Sequence, residues 1–576
     1  MSVKIFYKFV PRNVPISEQD IGIFVEKKES FPGKQYVLKE LKPKNLYKYQ
    51  KFFFEIVNKY PNLFKVQGIS LESLSQIFFL RTFNLPYAES LGDSLLLIEI
   101  LSEIFKDNSM KKCEILCYIP SSEISKIFIE YFRVNKIKKY KFIFTKKIDL
   151  SFLYSFFNFF HFIRFVFLLV LGYYNKIKVR RKGNLSKICF ISANPKRNIH
   201  KNAESVLIRN SIDFDEIFFD YKNAFFRFDF KYYSNLITFL KKNRSHRFVG
   251  EFLHLADFLR ILSLFSKEKK KLLSLLENVD SISYNGILIN SIFQKLFKIF
   301  IQLYLFYIIE TKYIIERIFF TYKFIFFSYN AEDRISDMIS VVPNEKVKKF
   351  SLQYELIYPG SVYYFYKNHQ HIELVWNEFS KNVLKEYYNY PDDKVFVIGN
   401  IRFDKFEKES HNGINVVFTS QDAFPEVLVM FLKSVKNVKN PIFNFFVKLH
   451  PGDDINKIRE TLEQLNLSKK VKIIRGPIIE ALKIADIIVS YSSTTLLESL
   501  YNQIPVIVIN PFSEEPQGVP FYKHVLYFKE EQEFIRFLEK IKSSRELRKI
   551  KVPKEFMIKD FDEALFKELL SDAFRK

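Results

Sequence analysis

Two polar turns in the C-terminal third of the chain carry the residues best suited to hold an anion. They are KLHP at 448–451 and YSSTT at 491–495, and each follows an apolar run with the composition of a buried strand. In the second turn, hydroxyl side chains stand where the next helix begins, so backbone N–H groups and the helix dipole would point at whatever lies there. Together the turns, which we expect at the ends of neighbouring strands, predict a site for a phosphate or diphosphate.

The side chains of these turns fit the same chemistry. Ser492, Ser493 and Thr494 can add hydroxyl donors, while Lys448 and His450 can add positive charge or a neutral N–H. Fixed donors of this kind stabilise the negative charge that builds on a departing phosphate group. We therefore expect the two turns to stabilise a phosphate as a leaving group.

The same residues also allow a purely structural interpretation. Serine and threonine are ordinary caps at a helix start, and Thr495 with Glu498 has the spacing of a capping box. Glu498 could instead bind the ribose hydroxyls of a nucleotide, and both roles stay open. Asp453 and Asp454, after the first turn, fit the cap of the next helix better than a metal-binding DxD loop.

The elements around these turns alternate regularly. Between residues 414 and 512, strand-like apolar runs alternate with helical runs, which predicts a doubly wound parallel sheet. Ligands of such sheets bind beyond the carboxyl ends of the strands, where both turns fall. A similar alternation begins near residue 91, with strands at 113–119 and 139–145, whereas residues 1–90 show only short strand-like runs such as QYVLKEL at 35–41.

A nearly continuous apolar segment interrupts the N-terminal half. It covers residues 151–174, contains His161 and Arg164, and is followed by the basic run KIKVRRK at 176–182. The whole stretch 151–182 fits a helix lying in the membrane interface with its cations near lipid phosphates. A buried helix and a membrane-spanning helix are the alternatives.

The bulk composition excludes some classes of protein. The chain has 576 residues and a net charge of +25, but basic and acidic residues are interspersed and no nucleic-acid-binding signature is present, so nucleic acid is not an expected partner. Three cysteines and an N-terminus without a signal-peptide pattern favour a cytoplasmic protein, peripheral at the inner face of the membrane.

The turns also carry a family resemblance. KLHP resembles the HP motif of bacterial sialyl- and polysialyltransferases, and the run 485–509 resembles their Ser–Ser/Thr motif and the corresponding turn of CDP-glycerol glycerophosphotransferases. GNIRFD at 399–404 is similar to the Gly-Asn loop of Kdo transferases. The chain thus resembles GT-B glycosyltransferases of bacterial surface polysaccharide biosynthesis, such as capsule and lipopolysaccharide.

This resemblance implies an architecture of two Rossmann-type doubly wound α/β domains facing a cleft, with the hydrophobic segment as a helical insertion. Residues 1–405 would form the acceptor-side domain and residues 406–576 the donor-binding domain. It also implies a nucleotide-sugar donor, no metal and no cofactor. The residues expected at the donor are Lys448, His450, Pro451, Ser492, Ser493, Thr494, Glu498, Asn400 and Gln421.

The catalytic base is expected from the N-terminal domain. Glu332 is the first choice because it follows a strand and opens a helix, and Asp333 is the second. Where many relatives carry Gln-His-Gly, this chain has Gln353, Tyr354 and Glu355, which makes Glu355 the third candidate. Acids in the first turn of a helix also complement its dipole, so a structural role is the alternative.

The expected function is transfer of a sugar from a nucleotide-activated donor to a surface glycan or lipid-linked acceptor, with inversion. A CDP-glycerol-type glycerophosphotransferase, a nucleotide-sugar epimerase and a non-catalytic GT-B-like scaffold protein are the alternatives. An anionic membrane surface is the expected further partner.

Overall fold

The structure is a computed structural model, and it describes most of the chain. The described residues are 2–8, 10–11, 14–24, 28, 30–71, 90–107, 109–119, 122–144, 153–179, 186–192, 200–219, 234, 236–238, 240, 246–328, 334–353, 357, 370–421, 425–450, 453–512, 524–542 and 552–574.

The chain divides into two compact units, and each is made of several sequence segments. The first unit is Met1–Gly183, Phe219–Thr321 and Asp337–Asn344, and the second unit is Asn184–Phe218, Tyr322–Ser336 and Glu345–Lys576. The predicted domain boundary after residue 405 falls inside the second unit and stays a prediction.

The described strands and helices are numbered in chain order. The strands are β1 Ser2–Tyr7, β2 Ile21–Phe24, β3 Lys34–Val37, β4 Lys65–Val66, β5 Ile69–Ser70, β6 Glu114–Ile119, β7 Tyr140–Phe144, β8 Ile188–Ser192, β9 Phe214–Phe218, β10 His246–Phe248, β11 Ser283–Tyr284, β12 Ile287–Leu288, β13 Phe324–Phe327, β14 Lys348–Leu352, β15 Ile372–Val375, β16 Val395–Val397, β17 Ile414–Thr419, β18 Phe443–Lys448, β19 Val471–Ile474, β20 Ile487–Ser490, β21 Val506–Ile509 and β22 Leu526–Phe528. The helices are α1 Leu38–Lys59, α2 Leu91–Ile104, α3 Ser122–Val134, α4 Leu153–Val179, α5 Lys201–Arg209, α6 Leu255–Glu277, α7 Asn290–Thr321, α8 Arg334–Val341, α9 Glu378–Tyr388, α10 Pro425–Asn437, α11 Ile455–Gln464, α12 Ile478–Ile484, α13 Thr494–Tyr501, α14 Glu531–Lys540, α15 Glu563–Leu569 and α16 Ser571–Phe574.

The first unit contains a five-stranded sheet in the order β3-β2-β1-β6-β7, and all its neighbouring strands are parallel. The strands predicted at 113–119 and 139–145 are confirmed as β6 and β7. The run 35–41 was expected to be strand-like, but only its start is β3, because the chain enters helix α1 at Leu38. Apolar residues of this run lie in both β3 and α1, so the apolar pattern alone did not show where the strand ends and the helix begins.

The second unit contains two parallel sheets. Six strands lie side by side in the order β9-β8-β13-β14-β15-β16, which we call the β8 sheet. The second, the β17 sheet, has the order β19-β18-β17-β20-β21-β22. In each sheet the strand order reverses beside the first strand of the series, β8 or β17. The predicted class, α/β with doubly wound parallel sheets, is confirmed.

The central strands of the β17 sheet, β17 and β20, are apolar on both faces. Val417 and Ile488 point into a core shared with the β8 sheet, whereas Val416 and Ile487 point into a second core beneath the helices of the opposite face. Strands covered on both sides need continuous apolar runs, which is why their pattern was legible in the sequence. The C-terminal segment 552–574 returns to the β8 sheet, and Phe566 packs on Phe326 with ring centroids 5.6 Å apart.

Helix α4 contains the apolar insertion predicted from the sequence. Its Arg164 lies against helix α7, where Nη1 bonds Glu310 Oε2 at 2.5 Å and the guanidinium stacks over Tyr307. The side chain of His161 lies outside the described residues. Among the described helices, only α7 is long and apolar enough to cross a membrane, and 72% of its most apolar window is buried.

Candidate functional site

The candidate site lies where strand order reverses in the β17 sheet. Strand β17 ends at Thr419, and its two neighbours β18 and β20 end at Lys448 and Ser490. All three strands are parallel, so their carboxyl ends share one edge of the sheet. A reversal point opens a crevice between the loops that leave to opposite sides, which is the usual ligand position in such sheets.

This order corrects one expectation from the sequence. The turns 448–451 and 491–495 were expected to leave adjacent strands, but β17 lies between β18 and β20. The chain makes β18 and β19 on one side of β17 and returns to its other side for β20. Two interstrand spacings separate the turns at their origins, about 10 Å, a distance that a diphosphate with its sugar can span.

The loop after β17 connects the two turns. The backbone N–H of Ser420 donates to the carbonyl of Lys448 at 3.0 Å, and Ser490 Oγ donates to the carbonyl of Thr419 at 3.3 Å. The backbone N–H of Ser492 donates to Gln421 Oε1 at 3.2 Å. Gln421, predicted at the donor, is therefore held beside the serine turn.

Lys448 brings a largely buried cation to this edge. Only 7% of its surface is exposed, and its ammonium donates to the carbonyl of Leu449 at 2.7 Å. Burial lowers the pKa of Lys448, while the nearby carboxylates of Asp453 and Glu480 act in the opposite direction. A cation already taken out of water interacts strongly with an anion that enters the same crevice.

His450 is exposed and closes its own turn. Its backbone N–H donates to Asp453 Oδ2 at 2.6 Å, and the N–H of Asp453 donates back to the His450 carbonyl at 3.0 Å. Asp454 caps helix α11 by accepting from the N–H of Asn456, as predicted. Pro451 lies outside the described residues. The turn thus presents the imidazole at the surface on a backbone fixed by Asp453.

The serine turn is a helix start, as expected. Ser493 is the N-cap of helix α13, and its Oγ accepts from the N–H of Thr495 at 3.2 Å. The capping box suggested for Thr495 and Glu498 is wrong, because the cap lies two residues earlier. Ser492 and Thr494 flank the cap and are partly exposed, so their hydroxyls lie at the positive end of α13.

Glu498 is not part of the cap of α13, and its carboxylate lies near the Gly-Asn turn 399–404. Burial raises its pKa to about 7, with Arg402 lowering and Asp404 raising that pKa. Asn502, the C-cap of α13, donates through Nδ2 to the carbonyl of Asp404 at 3.3 Å. The turn 399–404 therefore lies beside the helix that starts at the serine turn.

Asn400 has a structural role in that turn. Its Oδ1 accepts from the N–H groups of Arg402 and Phe403, and its Nδ2 donates to the Phe403 carbonyl at 2.7 Å. Gly399 has φ +80°, and a Cβ there would lie 2.2 Å from the carbonyl oxygen of Asp560. These bonds occupy the amide within its own turn, which favours a structural role for Asn400 over the predicted donor contact.

The N-terminal domain, residues 1–405, was expected to supply the base. Glu332, Asp333 and Glu355 all lie outside the described residues, so their assignment stays a prediction.

One residue near the reversal point of the β8 sheet was not identified as a candidate from the sequence. His200 immediately precedes α5, the helix that follows β8, and its ring lies 5.0 Å from that of Phe190. Burial lowers the pKa of His200 to about 3. An isolated histidine in a loop-like run gave no signal, because only the fold brings it into the core.

Comparisons with known proteins give limited matches. No family model matches the chain. The uncharacterized protein MJ1060 of Methanocaldococcus jannaschii is 37% identical over 112 residues, which is 18% of this chain and 20% of that protein. The match therefore spans about a fifth of the curated relative's length.

Solved structures with a similar arrangement are distant in sequence. UDP-GlcNAc 2-epimerase from Neisseria meningitidis, bound to UDP-GlcNAc, matches with a TM-score of 0.42 and 13% identity over 67% of this chain and 99% of that chain. S. aureus TarM, with fondaparinux, α-GlcNAc-glycerol and UDP, has a TM-score of 0.40 and 12% identity over 68% and 100%. A Rickettsia africae glycosyltransferase has a TM-score of 0.35 and 12% identity over 68% and 95%. The narrower resemblance to sialyl-, Kdo and glycerophosphotransferases stays a prediction.

Proposed function

We propose that this protein is a glycosyltransferase that moves a sugar from a nucleotide-activated donor to a surface glycan or lipid-linked acceptor. The observation that supports this most directly is the set of anion-binding groups at the reversal point of the β17 sheet. Lys448, Gln421 and the turn 492–494 share one edge there. Nucleotides bind at such points in open α/β sheets.

The donor phosphates would lie across the loop that follows β17. Lys448 would supply positive charge from one side, and the hydroxyls of Ser492 and Thr494 would donate from the other. His450 would reach the same anion from the surface of its turn. These groups take the part that a metal ion plays in other glycosyltransferases, so the proposal includes no metal and no cofactor.

The proposed reaction is a single displacement at the anomeric carbon, with inversion. The acceptor hydroxyl oxygen attacks this carbon while its bond to the donor phosphate oxygen breaks, and the electron pair leaves with the nucleotide. A carboxylate takes the hydroxyl proton, with Glu332 as first choice and Asp333 and Glu355 as the others. The negative charge on the leaving phosphate grows during this step, and fixed donors stabilise it most at that moment.

A second candidate rests on the same observation. The described site residues would contact only the phosphate groups of a donor, and CDP-glycerol also contains phosphate groups. A glycerophosphotransferase, which transfers a phosphoryl-linked polyol, is therefore compatible with the same residues. A non-catalytic GT-B-like scaffold would bind a donor without turning it over, and an epimerase would convert the donor without an acceptor.

The acceptor part of the proposal is a growing glycan on a lipid carrier at the cytoplasmic face of the membrane. Its support is the apolar helix α4 and the basic run that begins in its last turns.

A ligand panel followed by product analysis tests these functions. The full chain is heated with UDP-, GDP- and CMP-sugars and with CDP-glycerol, because a ligand that binds only the native state raises the unfolding temperature. Mass spectrometry with and without added acceptor then separates transfer, hydrolysis and epimerisation. We expect one nucleotide sugar to stabilise the protein and to be consumed only with acceptor. Stabilisation by CDP-glycerol alone would favour the second candidate, and no stabilisation by any conjugate would contradict the proposal.

A further inference from the structure

Helix α4 has two sharply different sides, although both are apolar. Phe165, Leu168 and Leu171 are buried, while Val170, Tyr173 and Ile177 are 58%, 65% and 54% exposed. The exposed positions 163, 170 and 177 recur every seven residues, which places them on one side of the helix. A helix that only filled a core would not leave large apolar side chains exposed along about four turns.

The buried side is fixed to the first unit by close and polar contacts. Arg164 pairs with Glu310, and Asn175 Nδ2 donates to Glu251 Oε1 at 2.6 Å. Gly172 meets Gly250 so closely that a Cβ on Gly172 would lie 2.0 Å from the Gly250 carbonyl carbon. One side of α4 is therefore committed to the protein, which excludes a helix surrounded by lipid and leaves the other side available.

A second exposed apolar pair lies on the helix next to this one. Helix α6 begins just after the 3-10 turn Val249–Phe252, which contains Gly250, and its Leu255 and Leu259 are 70% and 71% exposed. Phe258, between them in sequence, packs against Phe165 of α4 with ring centroids 5.3 Å apart. Both helices therefore leave large apolar residues exposed while they contact each other through Phe165 and Phe258.

Basic residues accompany both apolar sides. Lys176 is exposed in the last turns of α4 and opens the run KIKVRRK. On α6, Lys267 and Lys270 are exposed two to three turns after Leu259; Lys270 lies on the side of Leu255 and Leu259, and Lys267 lies about 80° around the helix from Leu259. Apolar residues that enter the acyl boundary, with lysines beside them at the level of the headgroups, are the pattern of a protein held on an anionic bilayer.

We infer that the exposed sides of α4 and α6, which we call the lipid face, dock on the surface of an anionic phospholipid bilayer. The lipid face comprises Ile163, Val170, Tyr173, Ile177, Leu255 and Leu259, with Lys176, Lys267 and Lys270. The charge of the whole chain, +25, acts in the same direction by attracting it to an anionic surface. The inference gives the proposed membrane location a specific surface, and it depends on none of the donor-site residues.

Vesicle sedimentation of the full chain tests the lipid face. The protein is mixed with phosphatidylcholine vesicles that contain either no anionic lipid or about one quarter phosphatidylglycerol. The test variant combines Val170→Glu with Ile177→Glu. The matched control is Ile208→Glu, which changes a residue 65% exposed on α5 of the second unit. A third variant, Lys267→Gln with Lys270→Gln, removes only charge.

We expect the unchanged protein to bind anionic vesicles at least about tenfold more tightly than neutral ones, with weaker binding at high salt. The glutamate variant should lose this binding, the lysine variant should lose part of it, and Ile208→Glu should keep it. Equal binding of the glutamate variant and the control would overturn the inference. So would a dimer found by analytical ultracentrifugation in the absence of vesicles that becomes a monomer in the glutamate variant, because the face would then bind a second copy.

Thermal unfolding and the nucleotide-sugar shift are measured on the same samples. Both should be unchanged in the lipid-face variants, since the substituted side chains are exposed and lie in the first unit. Loss of vesicle binding with an intact donor shift separates the lipid face from the donor site. If no nucleotide sugar stabilises the unchanged protein, the proposed function fails, but the vesicle measurements still test the lipid face independently.

Discussion

The backbone N–H of Ser492 donates a hydrogen bond to the side-chain oxygen of Gln421 at 3.2 Å. Ser492 follows β20 and Gln421 follows β17, and these two neighbouring strands flank the reversal point of the β17 sheet. The bond therefore links the loop in the middle of the candidate site to the turn on one side of it. Because a side-chain oxygen makes this link, a substitution can remove it without changing the backbone.

Gln421→Ala is expected to loosen the serine turn. The lost hydrogen bond should lower the free energy of unfolding by about 1 kcal/mol. Donor affinity should fall about tenfold, more than the loss of stability explains, because the turn's donors are no longer held in place. Urea unfolding and donor titration check this against Gln464→Ala, an exposed glutamine at the end of α11. Unchanged donor affinity would argue that the turn holds its position alone.

Lys448→Ala should weaken donor binding and transfer together. The ammonium is nearly buried and bonds only a backbone carbonyl among the described partners, so an incoming phosphate would be its first counter-ion at hydrogen-bond distance. Loss of one such group typically costs about a hundredfold in rate. Steady-state kinetics of Lys448→Ala and of Lys457→Ala, an exposed lysine on α11, provide the comparison. If both variants kept full activity, the phosphate would lie elsewhere.

Ser493 needs two substitutions, because it caps α13 whatever else it binds. Ser493→Ala removes the cap and should lower the free energy of unfolding by about 1 kcal/mol, whereas Ser493→Asn keeps a capping oxygen. A donor contact through the hydroxyl predicts that both variants lose transfer to a similar extent. A pure cap predicts that the asparagine variant stays active. Kinetics and thermal unfolding of the two variants decide between these roles.

Glu498 should make stability depend on pH in an unusual direction. Its pKa is raised from an ordinary value of 4.5 to about 7, so the folded protein holds a proton that the unfolded chain releases. This contribution is fully present below pH 4.5, falls as pH rises towards 7, and is constant above it. Glu498→Gln should remove that part of the decline. Urea unfolding of both proteins between these pH values measures the difference, and parallel curves would contradict the burial-raised pKa.

Removing only Arg164 from its ion pair with Glu310 should lower the free energy of unfolding far more than replacing both residues. Arg164→Met leaves the fully buried carboxylate of Glu310 without its cation, which should cost about 3–5 kcal/mol. Replacing both residues with methionine should restore most of this stability, since neither charge is then left behind. Chemical unfolding of the single and double variants forms the cycle. Equal loss in both would indicate that the ion pair itself, rather than the stranded charge, supplies the stability.

Most of the strands and helices of the C-terminal half could be predicted from the apolar pattern of the sequence. Strands such as β17 and β20 are covered on both faces, so each had to be a short unbroken apolar run, and the polar turns after them were visible as interruptions. Helix α2 and strands β6 and β7 were recognised from their apolar runs alone, although β7 is largely exposed. Residues 1–90 gave only short strand-like runs, and among their described residues no helix separates β1, β2 and β3, so the strand–helix alternation that identified the other sheets is absent there.

What the sequence by itself determined is the class of fold and which residues stand at strand ends, since both follow from local apolar patterning. Only the tertiary structure decided that β17 separates β18 from β20, that Gln421 joins them, and that Glu498 faces Arg402. It also paired Arg164 with Glu310, which lie 146 positions apart. These relationships depend on crossover connections and on side chains that meet across long separations, and no periodicity along the chain encodes them.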